Sequence, residues 1–196
     1  MRNERRFSQA ISEGDGISVI VEVADAAGAS AAAEQGAEAV VVRADVGELR
    51  EMTDLPVLWR APGSPAHAAL AGADAWSIAV RDAGDDGDWL VRQQAEALDL
   101  GLECVVEVRD EDELELALEQ LDPEIFLLWA GDVEDAAALE RALQLLPDVP
   151  AGKLAVADVR VSGREQVDEL ERAGVDAVIV GARDVADLVG DSPPTV

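Results

Sequence analysis

The 196-residue chain has no tyrosine, two phenylalanines, one histidine, one cysteine and, at Lys153, one lysine. Each scarcity removes a class of explanation. A single cysteine, Cys104, excludes an intramolecular disulfide and fits a reducing compartment. One cysteine and one histidine are too few nitrogen and sulfur donors for a zinc or iron site. The four aspartates of "RDAGDDGDWL" lack the spacing of a calcium loop. No Gly-x-Gly-x-x-Gly follows a strand pattern, so a dinucleotide has no cradle and no cofactor is expected. Basic residues number 15 against 42 acidic ones, which leaves no cationic face for nucleic acid or an anionic membrane. Long apolar runs are also missing, and the opening "MRNERRFSQAISEGDG" is too charged for a signal segment. The expectation is a soluble, cytoplasmic protein.

What is present is equally skewed. The formal net charge is −27, yet 49% of residues are hydrophobic, enough for one compact domain spanning 1–196. An acidic disordered chain would lack that apolar content. Self-repulsion on this scale destabilises a compact state in dilute salt, whereas molar salt screens it to within a few ångströms. An acidic surface with arginine in place of almost every lysine reads as a halophilic protein.

One phrase recurs along the chain. "AAAEQGAEAVVV" (31–42), "AALAGADAWSIAV" (68–80) and "ELERAGVDAVIVG" (169–181) each join a helix end to a glycine stop, an acidic residue and an apolar run. "ALEQLDPEIFLLWA" (117–130) repeats it with Leu-Asp-Pro as the turn. Short continuous apolar runs are the mark of parallel strands covered on both faces. They predict eight strands, near 18–23, 38–43, 56–60, 75–80, 103–108, 125–129, 154–159 and 177–181. Helices are predicted at 64–71, with Ser64 as N-cap and Pro65 behind it, and at 87–99, 110–121, 133–146 and 163–173. An extra N-terminal helix is expected over 3–13. Eight strand–helix alternations in one α/β domain predict a minimal (β/α)8 TIM barrel with short βα loops. Only "ARDVADLVGDSPPTV" follows the eighth strand, so the final helix is expected to be truncated, leaving barrel wall for the N-terminal helix, a second copy or another protein partner to cover.

Two glutamates fall where a buried strand should be apolar: Glu22 in "ISVIVEV" and Glu107 in "ECVVEV". Residues on alternate strands of such a barrel share an interior layer. Glu22, Arg60, Glu107 and Asp158 lie near the ends of the odd-numbered strands, and one inward layer at the C-terminal mouth would gather all four. A ligand pocket and an ion-pair ring without a ligand are the two readings of that layer. Trp59 and Trp129 end strands and are expected to line the pocket, while Trp76 and Trp89 are assigned to packing. Gly181, opening the last short helix, and the flanking Arg160 and Arg183 are candidates for holding an anion. His67 is read as ordinary surface, and Cys104 as a small apolar residue facing a helix.

At these residues the chain resembles the indole-3-glycerol-phosphate synthase family of ribulose-phosphate-binding barrels, the ring-closing decarboxylases (carbon-carbon lyases) of tryptophan biosynthesis. "ISVIVEV" resembles the family's first strand, "DLPVLWRA" its third, "LGLECVVEVRDEDELELAL" its fifth, and "REQVDELERAGVDAVIVGARDV" its seventh helix and eighth strand. The resemblance places Glu22 and Glu107 at the family's strand-one and strand-five glutamates, the latter implicated in proton transfer. It places Asp158 where a glutamate precedes Ser-Gly.

The departures are chemical. The strand-one Glu-x-Lys reads Glu22-Val23-Ala24, and the strand-three Lys-Asp-Phe reads Arg60-Ala61-Pro62. The Asn-x-Arg region is Trp129-Ala130-Gly131, the phosphate-binding Ser-Gly is Val159-Arg160, and the loop after strand one is Ala26-Ala27-Gly28-Ala29. The loop that closes over substrate is cut to residues around "RADVGE". Arginine does not release a proton at working pH, so Arg60 does not replace a general-acid lysine. The expected function is binding of a small anionic or phosphorylated molecule at the mouth, with Glu22, Arg60, Glu107 and Asp158 as the candidate catalytic residues of whatever carbon-carbon lyase chemistry is retained. A non-catalytic scaffold and a working synthase with displaced groups remain the alternatives.

Overall fold

A computed structural model describes residues 6–13, 16–45, 49–84, 86–129, 137–159, 161 and 163–181. The predicted strands appear as β1 (Ser18–Glu22), β2 (Ala39–Val42), β3 (Val57–Trp59), β4 (Ala75–Ala79), β5 (Glu103–Val108), β6 (Ile125–Trp129), β7 (Leu154–Asp158) and β8 (Ala177–Gly181). All pair in parallel with their sequence neighbours, and β8 closes on β1. The chain is therefore a (β/α)8 TIM barrel.

Eight described α-helices accompany the strands: α1 (Arg6–Ser12), α2 (Ala26–Glu34), α3 (Leu49–Met52), α4 (Pro65–Ala71), α5 (Trp89–Asp99), α6 (Glu111–Gln120), α7 (Ala138–Leu145) and α8 (Arg164–Ala173). The Ser64 side chain caps α4 by accepting from the His67 N–H, with Pro65 behind it. Gly72 (φ +88°) and Gly174 (φ +100°) stop α4 and α8 in the left-handed region that glycine adopts without strain. Ala26–Ala29, expected as loop, is the first turn of α2, because the Asp25 side chain accepts the Gly28 N–H at 2.8 Å and caps it. The first part of the helix expected over 133–146, and the stretch after β8, lie outside the described residues.

The recurring phrase has a structural meaning. Glu38, Asp74 and Asp176, the acids two residues after each glycine, stand at the foot of β2, β4 and β8. Each donates its own N–H to a carbonyl on the preceding strand: Val19 (3.1 Å), Val57 (3.0 Å) and Ala155 (2.9 Å) respectively. Each carboxylate also accepts the N–H of that same residue, at 2.8, 2.8 and 2.7 Å. This double bond fixes the register of three strand pairs at the lower rim, where slipping one residue would turn every side chain to the opposite face.

Parity divides the strands into two apolar clusters. Val19, Val21, Val40, Val57, Cys104 and Val106 face the helices, whereas Ile20, Val41, Leu58, Val105, Leu127, Val156 and Ile179 fill the barrel. The N-terminal helix does not cover the wall between β8 and β1. Phe7 and Ile11 of α1 join the interior cluster and close the barrel from below. The carboxylate of Glu103, at the start of β5, accepts the N–H groups of Phe7 (2.6 Å) and Ser8 (2.9 Å) and so anchors the otherwise unpaired first turn of α1. With its bottom plugged and its middle packed, the barrel has its open end at the top.

Candidate functional site

Above the apolar interior, parity brings the next inward residues of the odd strands to one level: Glu22 from β1, Arg60 just after β3, Glu107 from β5 and Asp158 from β7. They form one connected cluster. Arg60 donates through Nε to Glu107 Oε2 at 2.7 Å and pairs through Nη1 with Asp158. Glu107 and Asp158 are buried, and the Arg60 side chain is only 7% exposed. Glu22 is more open and joins through a further residue.

That residue is Arg43, which the sequence reading did not single out. Its Nε donates to Glu22 at 2.7 Å and its Nη2 to both Asp158 oxygens at 3.0 and 2.9 Å. Burial alone would lower the Arg43 pKa, but the Asp158 carboxylate and then Glu22 outweigh it, and the net shift is upward. Arg81, from the 3-10 turn Val80–Ala83 after β4, was also missed. It forms an ion pair with Glu107 and lies face-on against the Trp129 ring, 4.4 Å from its centroid. The signal for both was available: Arg43 follows Ala39 and Val41, and Arg81 follows Ala75, Ser77 and Ala79, in inward steps of two. Trp129 and Gly181 end β6 and β8 at the same parity. A second layer, from the even strands, thus stands above the first.

The charges alternate in sequence: Glu22, Arg43, Asp158, Arg60, Glu107, Arg81. Three cations face three carboxylates, so this cluster is formally neutral in a chain carrying −27. Desolvation of each charge is offset by an opposite partner, the condition under which buried ions are tolerated. Burial differs along the row. The Arg60 side chain is enclosed, whereas those of Arg43 and Arg81 are 33% and 30% exposed.

Beside this row opens a cavity of about 380 Å3, bordered by Arg60, Arg81, Glu107, Trp76, Trp89 and Trp129. Its size suits a small molecule. Two expectations need correction. Trp59 does not line the cavity: it is fully buried among the helix-facing residues, its ring 5.2 Å from that of His67. Adjacent strand residues point to opposite faces, and Arg60 takes the inward one. Trp76 and Trp89 do pack against the outer cluster, but both also border the cavity. Gly181 lies at the rim beside Glu22, its register partner, and is exposed. Arg160 and Arg183 lie outside the described residues. Cys104 faces the helices, where burial pushes its thiol pKa up to about 12. Among the described residues no helix is long and apolar enough to cross a membrane.

Comparison with known proteins gives a consistent match. The family model described as indole-3-glycerol phosphate synthase matches residues 66–186. A protein of that name from Acidithiobacillus ferrooxidans is 33% identical over 136 residues, covering 67% of this chain and 51% of the relative. One from Nocardioides sp. is 33% identical over 156 residues, covering 77% and 57%. One from Geobacillus sp. is 36% identical over 87 residues, covering 44% and 34%. The chain spans about half the length of the curated relatives it matches.

Proposed function

Since the chain belongs to the indole-3-glycerol phosphate synthase family, we propose that it keeps the barrel mouth as a binding site for a small anionic or phosphorylated molecule and has lost the ring-closing reaction. The observation that carries this reading is Arg60. The family resemblance puts a general-acid lysine at this position, and here a guanidinium stands between Glu107 and Asp158. A buried lysine can be tuned to give up a proton near neutral pH, but a guanidinium with two carboxylate partners stays charged. Glu107 borders the cavity with its carboxylate tied into two ion pairs, to Arg60 and Arg81. The mouth retains the means to bind an anion: two part-exposed arginines, and local neutrality where the rest of the chain would repel negative charge.

The halophilic reading belongs with this proposal, because molar salt leaves the short-range bonds of the mouth intact while screening the acidic surface. Isothermal titration in molar KCl with the synthase substrate and with simple sugar phosphates tests binding. A fluorescence assay for indole-3-glycerol phosphate tests turnover. Binding without product is expected. Product formation would establish the working-synthase alternative, and silence toward every anion would remove the binding site. The scaffold alternative drew on the stretch after β8, which lies outside the described residues.

A further inference from the structure

We propose that His67 is a strut behind the mouth, and that its protonation tightens the two strand ends that carry Arg43 and Arg60. This rests on the mouth being a binding site and places that site under the control of pH.

The chain has one histidine, and it stands where two arginines of the mouth leave their strands. On one side its Nε2 lies 3.0 Å from Asp45 Oδ2, two residues beyond Arg43. On the other its ring lies 5.2 Å from that of Trp59, one residue before Arg60. One side chain thus ties α4 to the ends of β2 and β3. Trp59 is fully buried and its Nε1 has no hydrogen-bond partner, so ring contacts place the indole. Gly63, which borders the cavity, is backed by the imidazole: a Cβ added there would meet His67 Nδ1 at 3.4 Å. The ring therefore stands behind the cavity wall as well as between the strand ends.

The surroundings of the ring are simple. Residues 63–72, which contain α4, carry no Asp, Glu, Lys or Arg. Among the described residues Asp45 is the charged group that pairs with His67; neither Arg50 and Glu51 of α3 nor Arg92 and Glu96 of α5 does so. Arg43 and Arg60 point inward from the same strand ends, to Glu22, Asp158 and Glu107. An imidazole takes up a proton between about pH 5 and 8. Charged, it turns the Asp45 contact into an ion pair and the Trp59 contact into a cation–π contact. Neutral, it keeps one hydrogen bond and an ordinary ring contact. Both strand ends gain from the same proton, and the added charge behind Gly63 favours an anion in the cavity. The pair is exposed, 47% at His67 and 56% at Asp45, so the effect is small. Its length matches the screening distance of about 3 Å in molar salt, which weakens it without abolishing it.

The test uses the full chain in molar KCl at about pH 5.5 and about pH 8.5, either side of the histidine range. Without ligand, urea unfolding of wild type, His67→Gln, Arg43→Gln and the double variant forms a cycle in which titration of the other carboxylates cancels. The coupling between positions 67 and 43 is expected to be about twofold to fivefold in the unfolding equilibrium constant at the lower pH, the range of an exposed ion pair, and absent at the higher. No coupling at either pH refutes the strut. Equal coupling at both shows a fixed packing contact and refutes the control by protonation. The second arm is calorimetric titration with sulfate, whose charge is constant over this range. Wild type should bind it about twofold to fivefold more tightly at the lower pH, and His67→Gln should show no such difference. If Arg43→Gln does not fold, Asp45→Asn replaces it in the sulfate arm, and a wild-type pH response surviving there refutes the strut. Coupling without sulfate binding upholds the strut and counts against the binding site itself.

Discussion

Arg60→Met removes the guanidinium that donates to Glu107 at 2.7 Å and pairs with Asp158, while nearly filling its volume. Two charge-assisted bonds at about 1.5–3 kcal/mol each set a range of about 3–6 kcal/mol. The stranded carboxylates are not wholly abandoned, since Glu107 keeps Arg81 and Asp158 keeps Arg43. That places the loss at the lower end, about 3 kcal/mol, or roughly 6–12 °C in Tm for a chain of this size. Urea unfolding in molar KCl measures it. Adding Glu107→Gln removes one of the two stranded charges, so the double variant should lose less than the sum of the singles by about 1 kcal/mol or more. A loss below about 1 kcal/mol for Arg60→Met, or strict additivity in the cycle, would refute the idea that the row is one coupled electrostatic unit.

Phe7→Ala should cost about 3–5 kcal/mol in urea unfolding, because Phe7 is fully buried in the barrel interior and its loss opens the plugged end. Burial raises the folded pKa of Glu38 above 4.5 and of Asp176 above 3.8, so the folded chain binds more protons than the unfolded chain just above those values. The stability these groups contribute is therefore present in acid and lost as pH rises through the folded pKa. Glu38→Gln with Asp176→Asn keeps neutral acceptors throughout and should gain on wild type between the carboxylate range and neutrality, as urea midpoints at fixed KCl will show. Cys104, buried and with its thiol pKa pushed up to about 12, should resist a thiol-reactive disulfide reagent in the native chain and react on unfolding in urea, followed by absorbance.

Under the proposed function, the mouth keeps its place in the barrel while its chemistry changes. Glu22, Glu107 and Asp158 occupy the level the resemblance implies, yet every one of them now faces an arginine. An arginine where the resemblance implies a lysine keeps the positive charge but does not release a proton at working pH.

Local chemistry carried much of this fold in readable form. Apolar runs with turn residues between them locate the eight strands, and Ser64-Pro65 marks the start of α4, because those signals act within a few residues. Strand parity placed Glu22, Arg60, Glu107 and Asp158 on one level, and the same parity puts Trp59 outward once Arg60 is inward. The tertiary structure decided what meets across the barrel. Whether α1 lies against the wall or plugs the floor depends on Glu103, some ninety-five residues away in sequence, accepting its first N–H groups. Arg43 and Arg81 continue the inward alternation past the ends of β2 and β4, but their partners come from other strands: Asp158 and Glu22 hold the first, Glu107 and Trp129 the second. Such pairings exist only after closure, since the attraction between charges on distant strands has no counterpart in the local sequence.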